Sequence, residues 1–450
     1  MAAIESKPDL PGSRSEIWWL RFFPLTFGTF LGLALLKFCN PPVMEKFITP
    51  PTNGYEWVIS TWPNGIGYWL LACVAMTGLF AIRLQLSKPR WLLILPLFWL
   101  FWQFIASTQT VDAELTRVTL KHFVACSVCF YLGLFCLNRP GQETLFLLPV
   151  AVAFALMIAV GLNQHFGGLQ ETREYFFTYI YPTLKEVPPE YLKKVSSNRI
   201  FSTVFYPNAL AGAILLISPP LLAWIWQARR QFTVGARSLL CGVLLAGALA
   251  CLYWSGSKGG WLLALASGLV ALLNQDLPKR LKLILVCSVL VIGGSGFIWK
   301  YAGFFQRGAT SVVARFDYWE AAWNTATAKP LLGSGPGTFG VVYAAIKRPE
   351  SEMARLTHND YLQQASDSGF PGLIAYALFV GGMIWVGYLK WRSDRSAVQL
   401  GIWVGLLAWS LQGLGEFTLY VPSLAWTAFA FAGWLLGTPG KRLDKPPQAV

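Results

Sequence analysis

Apolar runs of nearly twenty residues recur along almost the whole chain, and this repetition constrains the fold more than any other feature. About twenty residues of α-helix cross the roughly 30 Å hydrocarbon core of a bilayer. Inside that core each backbone N–H and C=O must be satisfied within the protein, which a helix does by itself. The runs lie at 17–38, 67–86, 91–107, 118–137, 144–162, 200–226, 239–255, 260–274, 283–299, 372–389, 397–415 and 422–437. The chain therefore reads as an all-α polytopic membrane protein of about twelve transmembrane helices. Composition agrees: of 450 residues, 55% are hydrophobic and 13% charged, where charged residues make up about a quarter of a soluble domain. The first run, Ile17 to Phe38, is long and has no small-residue cleavage site after it, so it reads as a span and not a cleaved signal.

The net charge of +14 would suit nucleic acid, but its placement argues for a membrane. The basic clusters fall in short connectors: Lys88 and Arg90; Arg229, Arg230 and Arg237; Lys279, Arg280 and Lys282; Lys390, Arg392 and Arg395; Lys441 and Arg442. An even number of spans puts both termini on one side, and these connectors then share that side. By the positive-inside rule it is the cytoplasmic one. Tails 1–16 and 438–450 are cytoplasmic on this reading, and segments 39–66, 163–199 and 300–371 face outward. Spans one to nine occupy 17–299 and spans ten to twelve 372–437. No nucleic-acid partner is implied.

Eight cysteines are present, nearly all within apolar runs. Cys126 and Cys129 form a C-x-x-C inside a span, without a second pair, and read as small core residues. The chain has three histidines: His122 reads as packed within a span, His165 as a loop residue, and His358 lies in the large outward segment. There is no H-E-x-x-H and no Asp-x-Asp in an outward loop, so neither a metal nor a cofactor is expected.

Segment 300–371 is a long polar loop in an otherwise apolar chain, and such loops usually exist for binding or catalysis. Ser311 to Ala328 reads as an amphipathic helix with Val312, Phe316, Trp319 and Trp323 on one face. Arg315 stands four residues before Trp319, the spacing for its guanidinium to stack on that ring. Leu332 to Gly337 is a Gly-rich turn matching neither a Walker nor a dinucleotide fingerprint, and a plain loop is the favoured reading. Thr357 followed by Asp360 resembles a capping box opening a helix that stops at Gly369, before Pro371. His358 then falls in the first turn, where the helix dipole favours the neutral imidazole a general base needs. Spacing alone equally allows a His that only caps or packs.

Two further places carry polar groups at a membrane boundary. Arg199 opens a run continuing through Ser202, Thr203 and Asn208, a polar face entering the bilayer. A guanidinium there offers a pyrophosphate two parallel hydrogen bonds, although interfacial snorkelling also explains an Arg in that position. Lys258 sits in the tight turn Gly256 to Gly260 between Trp254 and Trp261, and either snorkels or meets an anion.

Together these segments resemble the O-antigen ligase superfamily: lipopolysaccharide O-antigen ligases, O-antigen polymerases and bacterial O-oligosaccharyltransferases. Arg199 to Asn208 is similar to the family's Arg…Gly-Thr-Phe…Pro-Asn helix start, and Ser255 to Gly260 to its Ser-Arg-Gly turn. Arg315, Trp319 and Trp323, followed by Pro330 to Gly335, resemble its Arg…Trp…Pro…Gly-x-Gly run. Thr357 to Leu362, with Asp367-Ser368-Gly369, resembles His-Asn…Glu-x-Gly. Ser202, Lys258 and Asp367 stand where Gly, Arg and Glu are usual, and Lys258 keeps the charge without the planar fork.

The resemblance implies a GT-C-like fold whose large periplasmic loop contains short helices, in the bacterial inner membrane. It implies a glycan on undecaprenyl pyrophosphate as donor, with Arg199, Arg315 and Lys258 on the pyrophosphate. His358 would take the proton of an acceptor hydroxyl as it attacks the anomeric carbon, with no metal required. Asn359, Tyr361, Asn208 and Trp319 are supporting residues, and Asp360 caps its helix. Ligation onto lipid A–core is the first reading and polymerisation onto another lipid-linked repeat the second. A bicarbonate or solute transporter is the third, but transporters place charged or broken-helix sites near the midplane in paired halves. Here the charges gather at the outer mouth.

Overall fold

The computed structural model describes residues 14–48, 50–84, 89–137, 139, 141–183, 192, 196–204, 206–306 and 310–437. Lys88, Lys193, Lys194, Phe205, Lys441, Arg442 and most of both tails lie outside them. Among the described residues every regular element is helical. In chain order the main helices are α1 (Arg14–Lys37), α2 (Asn64–Leu79), α3 (Arg90–Ala106), α4 (Ala113–Cys136), α5 (Gln142–Asn163), α6 (Pro207–Gln227), α7 (Val234–Ser255) and α8 (Lys258–Leu273). Then come α9 (Lys279–Ser288), which runs through a π turn into α10 (Gly294–Gln306), α11 (Thr310–Ala328), α12 (Phe339–Ile346), α13 (Asp360–Asp394), α14 (Ala397–Gln412) and α15 (Pro422–Leu436). The protein is an all-α, multi-pass membrane protein. Among the described residues eight helical stretches are long and apolar enough to span a bilayer, and four shorter apolar helices, α2, α8, α14 and α15, occupy the remaining expected positions. Helix length thus supports eight spans by itself.

Polar residues punctuate the apolar helices. Asp112, Thr233, Ser257, Asn359 and Ser396 each accept a backbone N–H at the start of a helix, satisfying donors that would otherwise be orphaned. The most extensive helix pairings are α6 with α14, α4 with α15, and α1 with α5. Each is made by glycine. Gly28 and Gly32 of α1 meet the backbone of Phe146 and Pro149, and Gly401 and Gly405 of α14 meet that of Pro219 and Leu216. Gly133 of α4 and Gly433 of α15 face the carbonyls of Ala430 and Phe130 reciprocally. Between membrane helices the hydrophobic effect gives little drive, so close backbone approach and van der Waals contact hold the pair. The span α9–α10 is peripheral, with none of its apolar window buried.

The polar segment after α10 folds back over one end of this bundle. α11 packs against α13, and Tyr318, Ala322, Phe339 and Tyr343 form a second, smaller core with Trp319 and Leu362. α13 leaves helical geometry at Ser368 and Gly369, the latter at φ 70°, where the Gly-Phe-Pro sequence predicts a stop. Its first turns and α3 are tied by polar bonds within the bundle: Trp99 Nε1 and Gln103 Nε2 donate to Gln364 Oε1 at 2.7 and 3.1 Å.

Candidate functional site

Glu416 lies in the short link between α14 and α15, and three segments distant in sequence converge on its carboxylate. Arg315 of α11 donates Nη2 to Oε1 and forms an ion pair with it. Asn208, in the first turn of α6, donates Nδ2 to the same oxygen at 2.5 Å. His358 reaches Oε2 through Nδ1 at 3.0 Å. Burial alone would push the Glu416 carboxyl up, but the charges of His358 and Arg315 and the hydrogen bonds from His358 and Asn208 outweigh it and hold it below its ordinary value. An ionised carboxylate only accepts, so Nδ1 of His358 carries the hydrogen and Nε2 is left as the basic nitrogen.

The backbone presents His358 in an uncommon way. Its φ is 53°, the left-handed region that non-glycine residues visit rarely and often at functional positions. The residues on either side fix it there. Thr357 Oγ1 donates to the Asn359 carbonyl at 2.7 Å, and the Asn359 side chain accepts from the amides of Tyr361 and Leu362, both at 3.0 Å. The imidazole lies among Tyr206, Tyr318 and Phe417, whose ring centroids are 6.1, 6.0 and 4.8 Å away. His358 and Arg315 keep 21% of their side-chain surface open, so the network has an accessible face.

Arg199 joins through Asn208. Its Nη2 donates to Asn208 Oδ1 at 2.7 Å and its Nε to the Ser255 carbonyl at 2.6 Å, which occupies two of the five N–H donors of a guanidinium. Gly256, at φ 60°, lets the α7–α8 turn pass against this side chain; a Cβ there would stand 3.2 Å from Nε. Lys258, at the start of α8, places Nζ over the Phe304 ring at 3.7 Å and near Tyr301 at 5.6 Å, close enough to Arg199 and Arg315 for their charges to repel it. Arg315 on Glu416, Arg199 on Asn208 and Lys258 on Phe304 bring three cations to one region with a single carboxylate, an environment suited to a multiply charged anion.

Several expectations from the sequence need correction. Trp319 does not hold Arg315: the guanidinium goes to Glu416, and the Trp319 ring meets Phe316 edge-on at 5.5 Å. A nearly buried carboxylate attracts a guanidinium more strongly than an indole face does. His358 is not in the first turn of its helix, because Asn359 and not Thr357 is the cap. The helix dipole therefore acts on His358 less directly than expected, and the Glu416 carboxylate sets its tautomer. Asp360 does not cap its helix; its Oδ2 accepts from Thr418 Oγ1 at 2.7 Å and the Leu419 amide at 2.9 Å. Tyr361 neither touches nor orients His358: its hydroxyl donates to the Ser410 carbonyl at 3.1 Å and its ring packs on Tyr376. Of the four supporting residues, Asn208 contacts the charged network directly, and Asn359 supports it through the backbone.

The Gly-rich turn is structural. The amides of Gly337 and Phe339 donate to the Asp367 carboxylate at 2.8 and 3.2 Å, and those of Ser334 and Gly335 to the carbonyls of Ser366 and Asp367. His122 is buried against the Leu419 carbonyl, at 2.7 Å, and His165 stacks on Trp254. All eight cysteines are free. Among the described residues no group of three His, Cys, Asp or Glu could hold a metal. Glu416 is the residue that sequence reasoning missed. It is the lone charged residue between Ala397 and Gly440, and an isolated ionisable group in such a stretch is itself a functional signal.

Residues 241–377 match the family model described as O-Antigen ligase. The matched stretch includes Lys258, Arg315 and His358 and excludes Arg199, Asn208 and Glu416. No curated protein matches the chain.

Proposed function

We propose, from the match of residues 241–377 to the O-Antigen ligase family model, that the chain is a member of the O-antigen ligase superfamily and a metal-independent ligase moving a glycan from undecaprenyl pyrophosphate to a hydroxyl of lipid A–core. Members of this family are glycosyltransferase-type enzymes. The observation that carries the reading is the His358–Glu416–Arg315 constellation: a base held through Nδ1 beside a cluster of cations, at one end of a membrane bundle.

In the proposed reaction the acceptor oxygen attacks the anomeric carbon and its proton passes to His358 Nε2. The bond between that carbon and the pyrophosphate oxygen breaks, and undecaprenyl pyrophosphate leaves with the electron pair. Arg315, Arg199 and Lys258 would neutralise the charge that grows on the leaving group, and such prearranged charge is commonly the largest single contribution to a rate. Loop 300–371 is then the catalytic loop, facing the periplasm, and the tails face the cytoplasm of a bacterial inner membrane. The basic connectors at the opposite ends of the helices support that orientation.

The test uses detergent-purified protein with a labelled undecaprenyl-pyrophosphate oligosaccharide and two acceptors, lipid A–core and a second lipid-linked repeat. Label on lipid A–core supports the ligase. A ladder of longer lipid-linked chains would make it a polymerase of the same family, and no transfer to either acceptor would count against glycosyl transfer.

A further inference from the structure

The proposed chemistry needs a base and a binding site for the donor anion, and in this protein both are tied to one side chain that the family match does not reach. Glu416 Oε1 takes Arg315 and Asn208, and Oε2 takes His358. Asn208 in turn holds Arg199. We propose that Glu416 is a positioning residue that couples donor binding to the base: it pairs with Arg315, and the donor's pyrophosphate competes for that guanidinium, so that the Glu416 carboxylate then acts on His358.

The argument is one of competing partners, and it rests on the glycosyl-transfer reading above. A guanidinium fork pairs with either a carboxylate or a phosphate. When a pyrophosphate arrives, Arg315 has a ligand of higher charge on the open side of the site. Glu416 is then left with Asn208 on one oxygen and His358 on the other. A carboxylate relieved of its cation stabilises an imidazolium better, so Nε2 becomes the stronger base only once the donor is seated. Arg315 from α11, His358 before α13, Tyr206 and Asn208 at the start of α6, Arg199, Lys258 and the Asp360 carboxyl are the charged, titratable or hydrogen-bonding groups that face Glu416 or its partners. The proton balance is closed: the acceptor hydroxyl loses one proton, Nε2 gains it, and Nδ1–H stays on Glu416 throughout.

The test compares wild type, Glu416→Gln, Glu416→Asp, His358→Ala and the double variant His358→Ala/Glu416→Gln. Steady-state turnover is measured with the labelled donor and lipid A–core. Thermal shift with inorganic pyrophosphate reports anion binding, and 15N shifts of labelled histidine, assigned by subtracting the His358→Ala spectrum, report the tautomer. Glu416→Gln is expected to lose about 100-fold in kcat with the donor KM unchanged or lower, because the competing carboxylate is gone. Stabilisation by pyrophosphate persists in it, its Nδ1–H signature is weakened, and Glu416→Asp recovers part of the rate. The double variant falls no further than His358→Ala, as residues acting as one unit do. A kcat within about threefold of wild type, loss of the pyrophosphate shift in Glu416→Gln, or an unchanged imidazole signature would overturn the proposal. If wild type itself transfers no glycan, the glycosyl-transfer reading fails, while the pyrophosphate and imidazole measurements still decide the role of Glu416.

Discussion

Two buried carboxylates on this face of the bundle, Glu416 and Asp367, have opposite surroundings. Asp367 is fully buried and takes four neutral donors: the amides of Gly337 and Phe339, Gln363 Nε2 and the Tyr420 hydroxyl, all between 2.8 and 3.2 Å. Its bonds join the Gly-rich turn, α13 and the link before α15, and among the described residues no cation is one of its hydrogen-bond partners. Glu416 takes Arg315, His358 and Asn208, and the two titratable partners keep an open face. A carboxylate saturated by amides and a hydroxyl acts as a fastener, because its donors are fixed and nothing can exchange. One held by a guanidinium and an imidazole at an open edge has partners that a ligand can take over. Asp367 stands where the resembled family has Glu, whereas Glu416 lies outside every motif of that resemblance.

The two carboxylate settings should respond differently to substitution. Arg315→Ala removes the cation paired with Glu416, and kcat/KM for the donor is expected to fall about 1000-fold, together with a lower melting temperature because a nearly buried carboxylate loses its partner. A normal rate in this variant would detach the network from donor chemistry. Asp367→Ala should act on stability alone, costing about 3 kcal/mol by orphaning several buried donors, seen as a lower melting temperature, with kcat retained by the protein that remains folded. Lys258→Ala should lower kcat/KM for the donor by about tenfold, a smaller loss than for Arg315→Ala because the ammonium rests on the Phe304 ring. The smallest effect concerns acid. The Glu416 carboxyl is held below its ordinary value of 4.5, so its ionised form stabilises the fold above that pH, and the contribution fades as pH falls through the lowered folded value. The melting-temperature advantage of wild type over Glu416→Gln should therefore be constant above about pH 5 and shrink below it; an advantage that grew in acid would reverse the sign of the argument.

Much of the architecture was legible. The apolar runs located the membrane helices because backbone satisfaction in lipid leaves few alternatives, and the Ser311 to Ala328 periodicity anticipated α11 to within one residue of its start at Thr310. Gly369 before Pro371 marked the break in α13 for the same local reasons. The site was legible in part: Arg199, Asn208, Arg315, Lys258 and His358 were chosen, and they gather at one end of the bundle. What the sequence did not reveal depends on tertiary contact. The i, i+4 spacing puts Arg315 and Trp319 on one face of α11, but no local rule announces a carboxylate about a hundred residues away. The Thr357–Asp360 spacing fits a capping box, yet Asn359 can accept from both following amides and takes the cap, turning His358 out at positive φ. Glu416 sits in a short connector, and its isolation in an apolar stretch is the local signal the sequence carries for it.

In the proposed function His358, held by Glu416, is the base for transfer from a pyrophosphate-linked donor. It is tested most directly by following release of undecaprenyl pyrophosphate from the labelled donor, with lipid A–core present, by wild type and by His358→Ala of matched melting temperature. The account predicts turnover in wild type and a loss of about 1000-fold or more in the variant. Equal release by the two proteins would contradict it.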